Sequence, residues 1–85
     1  MKEKKHLGQL HPGESAVITA LETEGAMRRR LLDLGLVKHT SVTCLGRSPG
    51  GDPSAYEVHG MVVALREVDC RGILVEPVGV GGSWA

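Results

Sequence analysis

The chain has 85 residues, with ten basic side chains balancing ten acidic ones, so no overall field draws it to nucleic acid or an anionic membrane. Hydrophobic residues make up 41% and charged residues 24%, which is ordinary globular usage and excludes a disordered chain. Tyr56 and Trp84 are the only aromatic rings, so the interior must be aliphatic and a pocket lined with stacking rings is excluded.

Residues 1–13 read as a lead-in segment in which Leu7 and Leu10 are spaced to tuck beneath a sheet and Pro12-Gly13 turns the chain. Residues 15–22 follow as a strand rich in β-branched side chains. At Thr23 the period changes. Thr23 is placed to cap a helix over residues 24–34, where Met27, Leu31 and Leu34 share one face at i, i+4 and i+7. Gly35 stands where a helix ends in positive φ, and Leu36 can pack back on Leu31, the hydrophobic contact of a Schellman ending. Opposite the apolar stripe, Arg28, Arg29 and Arg30 face outward, and Asp33 lies four residues beyond Arg29, in reach of a weak surface ion pair.

Residues 41–47 form the next strand, with Val42 and Cys44 on one side. Ser48-Pro49-Gly50-Gly51-Asp52-Pro53 cannot continue a ladder and reads as a projecting loop. Strands over residues 55–59 and 62–66, the second ending on Leu65-Arg66, meet at a tight hairpin for which Gly60 supplies the backbone angles. Residues 67–71 are too few for more than a single turn, closed by Gly72, with Arg66 ordering it by hydrogen bonds. Residues 73–78 make the last strand and the Gly-rich residues 79–85 a flexible tail, which leaves one domain over residues 1–78. About five short antiparallel strands with one inserted helix, in a chain too small for two packed sheets, predict a mainly β, SH3-like barrel whose closure removes exposed edges.

No catalytic arrangement is legible. His6, His11, His39 and His59 fall in turns or near the terminus, with no Ser or Cys spaced to form a triad. The Gly50-Gly51 loop lacks the phosphate-binding pattern and a following helix. Two cysteines outside any C-x-x-C pair fit a reducing cytosol, and no run approaches a membrane span. Cys44 reads as a small core hydrophobe. Metal ligands are not assigned: Cys44, Cys70 and the histidines suit Fe²⁺ or Zn²⁺ chemically, yet spacing gives no ligand pair, and no cofactor is required. The arginine run is the leading surface feature, because three adjacent guanidiniums cannot share one direction and at least two must meet solvent or an acidic partner. Nucleic acid is disfavoured as that partner by zero net charge and scarce rings.

Four pieces in order resemble one family: Leu10-x-Pro12-Gly13, the run Arg29-Arg30-Leu31-Leu32-Asp33-Leu34-Gly35-Leu36, Gly51-Asp52-Pro53, and Val58-x-Gly60 followed by Ala64-Leu65-Arg66. Over residues 7–77 the chain resembles the FeoA family, ferrous iron transport protein A, which is similar to the SH3-like C-terminal domain of iron-dependent repressors. The chain departs from the family at Met61-Val62, where an aromatic is common, and in its tail. The resemblance implies a cytoplasmic, non-enzymatic accessory protein of ferrous iron uptake that binds the cytosolic domain of a FeoB-type GTP-hydrolysing transporter. Arg28, Arg29, Arg30 and Asp52 are the candidate partner-binding residues, while Gly13, Leu31, Leu34, Gly35, Gly60 and Leu65 define the fold. The alternative is a metal-binding regulatory domain like that of the repressors; oligomeric state stays open.

Overall fold

The computed structural model describes residues 5–77; the expected tail and its Trp84 lie outside them. Six antiparallel strands form one bent sheet: β1 Lys5–His6, β2 Ser15–Leu21, β3 Ser41–Arg47, β4 Ser54–Val58, β5 Met61–Leu65 and β6 Ile73–Pro77, in the order β1-β6-β2-β3-β4-β5. A helix, α1 Gly25–Asp33, is inserted after β2, and a one-turn helix, α2 Glu67–Cys70, joins β5 to β6. This is the mainly β architecture with one main helix that the periodicity predicts. The strand count rises from five to six because Lys5 and His6 pair with Val75 and Leu74, a stretch too short and too polar to show a strand period.

The sheet curls around one aliphatic interior. Leu7 and Leu10 of the lead-in, Ala16 and Ile18 of β2, Leu31 of α1, Val42 and Cys44 of β3, Tyr56 and Val58 of β4, and Ile73 of β6 are all fully buried. Met27 and Leu34 pack against this core from the helix, so the i, i+4, i+7 stripe is the buried face. Two bulges bend the ladders, one between Ile18 and Ala20 against β6 and one between Cys44 and Gly46 against β4. A bulge breaks alternation and sharpens curvature, which accounts for the irregular pattern of β2. Leu45, the extra residue of the second bulge, is thrown outward.

The end of α1 is a full Schellman motif. The Leu36 N–H donates to the Leu31 carbonyl at 2.9 Å and that of Gly35 to the Leu32 carbonyl at 3.0 Å, with Gly35 at φ +92°. The start differs from expectation. Glu24, not Thr23, holds the cap position, and no side chain caps there. Thr23 is used elsewhere: a Cβ on Gly72 would run into its hydroxyl and backbone, and the neighbouring Glu22 N–H donates to the Gly72 carbonyl at 2.6 Å. Gly72 thus closes the turn after α2 by permitting a close chain crossing.

The hairpin between β4 and β5 is a two-residue turn with both His59 (φ +54°) and Gly60 (φ +78°) left-handed, the type I′ form whose twist matches the strands. Around the other edge the barrel does not close through strand pairing: among the described residues β5 has β4 as its single strand neighbour.

Candidate partner-binding surface

Helix α1 presents Arg28, Arg29 and Arg30 at its exposed surface. The three are not equivalent. The Arg28 guanidinium donates to the Leu21 carbonyl at 3.1 Å, tethering the first helical turn to the end of β2. Arg30 stands in the last turn, where the carbonyl end of the helix favours a cation. Arg29 is exposed between them, and the expected pair between Arg29 and Asp33 is not among the ion pairs formed by the described residues.

Asp52 is exposed, but the loop that carries it folds back on itself and on α2. Its carboxylate accepts the Glu67 N–H at 2.9 Å, and the Ser48 N–H donates to the Pro53 carbonyl at 3.0 Å. The registers then decide whether Asp52 can join the arginines. In the β2–β3 ladder Ser15 faces Thr43 and Val17 faces Ser41, so the Leu21 end of β2, which leads to α1, lies at one end of the ladder. The Arg47 end of β3, which leads to the loop, lies at the other. The structure therefore separates Asp52 from Arg28, Arg29 and Arg30, so the four candidate residues do not share one surface.

At the hairpin end, the His59 ring nitrogen Nε2 sits 3.2 Å from the Gly35 carbonyl oxygen. A hairpin tip is thereby fastened to the end of α1, and the arginine helix is held at both ends, by Arg28 and by His59. At the loop end, Arg47, which the strand pattern treated as an ordinary terminal residue, does most of the fastening. Its guanidinium donates to Ser54 Oγ at 3.0 Å, to the Leu10 carbonyl at 2.7 Å and to the Gly8 carbonyl at 3.3 Å. It lines a polar cleft of about 280 Å³ together with Asp52, Ser54, Tyr56 and Glu67. Two of its three bonds reach 37 and 39 residues back, a distance over which no local pattern operates.

The donor atoms do not assemble into a metal centre. No group of three or more His, Cys, Asp or Glu able to hold a metal ion forms among the described residues. His6 Nδ1 accepts the Gly8 N–H at 3.1 Å, His11 pairs with Glu14, and His59 faces Gly35. Both cysteines are buried and free. Burial pushes the Cys70 thiol up to about 11 and raises that of Cys44, so both keep the proton a metal would have to displace. The Cys70 thiol instead donates to the Tyr56 hydroxyl oxygen at 3.6 Å. No helix among the described residues is long and apolar enough to cross a membrane.

Known proteins fit this geometry. The chain is similar to a fusion protein of Fe(2+) transport protein A and the Fe(2+) transporter FeoB from Porphyromonas gingivalis, 37% identical over 70 residues that cover 82% of this chain and 8% of that protein. The chain thus spans a small fraction of the relative's length. The solution structure of the FeoA protein from Chlorobium tepidum superposes with a TM-score of 0.83 at 37% identity, over 92% of this chain and 75% of that one. FeoA of Stenotrophomonas maltophilia, crystallised with zinc and described as a prokaryotic SH3 domain protein, gives 0.77 at 30% identity, over 85% and 89% of the two chains. A manganese-dependent transcriptional repressor shares the fold alone, with a TM-score of 0.81 at 15% identity over 92% of this chain and 38% of that one. The family model of the FeoA domain matches residues 5–77, and the chain belongs to that family, which is involved in ferrous iron transport.

Proposed function

We propose that this protein is a non-catalytic accessory factor of ferrous iron uptake that works in the cytoplasm by docking the exposed arginine face of α1 on the cytosolic domain of a FeoB-type transporter. The fusion relative carries the reading: a stretch 37% identical to this chain is there part of one polypeptide with the transporter. Covalent linkage holds two modules at high effective concentration, and a separate chain must reach the same proximity through a surface. The surface best suited to an acidic partner is α1, where Arg29 and Arg30 are exposed on a helix fixed at both ends, so that little ordering is needed on binding. A metal-regulatory role has no donor cluster to stand on among the described residues.

The test combines Arg29→Glu with Arg30→Gln, sparing Arg28 because it tethers the helix and avoiding an anion at the carbonyl end of α1. Calorimetric titration of the transporter's cytosolic domain is expected to show binding by the unaltered chain that weakens with salt. The double variant should bind about tenfold or more weakly, at an unchanged unfolding midpoint. Equal affinity for the two chains would remove α1 as the docking face, and no binding by either would remove the transporter as the partner.

A further inference from the structure

β5 is an outer strand of the sheet, and its pairing with β4 fixes which of its backbone groups face away from the protein. Because His59-Gly60 is a two-residue turn, Val58 and Met61 form a hydrogen-bonded pair, and the ladder alternates from there through Tyr56–Val63 and Ser54–Leu65. Met61, Val63 and Leu65 therefore direct their N–H and C=O groups at β4. Those of Val62 and Ala64 point outward. Protein edge strands are commonly blunted by a charge, a proline, a bulge or a covering element. Among the described residues β5 has no such device: Met61-Val62-Val63-Ala64-Leu65 is uncharged, its register is unbroken, and Met61 and Val62 are 49% and 66% exposed.

We infer that β5 is a self-association edge, pairing antiparallel with β5 of a second copy of this chain about a two-fold axis at Val63. This inference does not rest on the transporter reading. The ladder sets the one register in which a second copy fits. Outward groups must meet outward groups, which restricts Val62 and Ala64 to partners of the same kind. With the axis at Val63, Val62 faces the second copy's Ala64 and Ala64 faces its Val62, so every outward N–H and C=O of the strand is satisfied in four hydrogen bonds. An axis at Val62 would set Ala64 against the turn residue Gly60, and an axis between residues would oppose outward groups to inward ones. The same axis sets Met61 beside Leu65 of the other copy.

No charge opposes the pairing in this register. The apolar row brings no like charges together, and at its ends Arg66 is already held by Asp69 at 3.1 Å. Two five-residue edges bury less than the ~800 Å² per partner of a standard stable interface, so the dimer is of the weak, concentration-dependent kind.

Sedimentation velocity and amide hydrogen exchange of the full chain across a dilution series test it. The expected result is a monomer that becomes a dimer with rising concentration, with the Val62 and Ala64 amides gaining protection as it does. Val62→Pro removes one outward N–H and leaves the β4 ladder intact, and should raise the concentration needed for dimerisation about tenfold or more. Val62→Lys, which sets like charges across the axis, reads the same effect should the proline variant fail to fold. A chain that stays monomeric at about 1 mM overturns the inference, as does a dimer that neither variant weakens. Val62 and Ala64 amides protected equally in the dilute monomer would show the edge covered by the chain's own residues and would also overturn it.

Discussion

Gly35 and Gly60 both occupy left-handed backbone, but what surrounds them differs. An added Cβ at Gly60 meets nothing within 4 Å, whereas one at Gly35 would lie 2.7 Å from Cδ2 of the His59 ring. Alanine at Gly60 should therefore cost only the backbone strain of a left-handed residue, about 1–2 kcal/mol. Gly35→Ala should cost more, about 2–3 kcal/mol, because the ring must also leave the Gly35 carbonyl and a net hydrogen bond contributes about 1 kcal/mol. Urea unfolding of the two variants measures the difference. In a His59→Ala background that difference should shrink, since the obstacle and the hydrogen bond are both gone; a difference that persists there would show the ring to be irrelevant. Gly35 itself is legible in the sequence, because the helical period stops at it. Its contact with His59 is not, since 24 residues separate them and a histidine in a hairpin turn carries no sign of what its ring touches.

The same division holds for whole elements. In α1 the stripe of Met27, Leu31 and Leu34 packs on the core, and in β3 and β4 the alternating Val42, Cys44, Tyr56 and Val58 are buried, whereas β5 is apolar throughout and exposes Met61 and Val62. The elements that escaped are short: β1 has two residues, and the bulges in β2 and β3 are single insertions, while α2, read as a single turn, has four residues. Four residues cannot sustain a helix by their own hydrogen bonds, so α2 must be held from outside. The Asp69 carboxylate accepts the Arg66 N–H at 3.3 Å and two bonds from its guanidinium, while Asp52 takes the Glu67 N–H. Asp69 is 9% exposed, which makes it the costlier acceptor to lose. Asp69→Ala should destabilise by about 1–3 kcal/mol, mainly through the orphaned N–H. The ion pair itself adds little, because the Arg66 side chain is 63% exposed. Asp69→Asn keeps an acceptor and should lose less than half as much by thermal unfolding. Equal losses in the two variants would mean that charge, not capping, holds α2.

At the scale of the molecule, the arginine face of α1 was legible because a helix projects side chains at known angles, but its separation from Asp52 needed the strand registers, which local pattern leaves unset. The core is likewise continuous: Tyr56 touches Cys70, and both stand in one cluster with residues from the lead-in to β6. Burial in that cluster disfavours the ionised form of both polar heads. Burial raises the Tyr56 phenol above its ordinary value of 10.0 and lifts the Cys70 thiol from 9.0 to about 11. Above pH 9 the unfolded chain releases the Cys70 proton while the folded chain keeps it, so rising pH favours unfolding. The stability this thiol contributes is complete below pH 9 and falls as pH climbs toward 11, with Tyr56 adding to the slope from pH 10 upward. Urea unfolding across this range should show a steady alkaline loss for the unaltered chain. Cys70→Ala should be weaker at neutral pH through lost packing, yet its slope between pH 9 and 10, where the unfolded chain's tyrosine is still mostly protonated, should be shallower. Parallel slopes in that interval would mean that Cys70 ionises freely in the folded protein and that the interior between α2 and β4 is open to water.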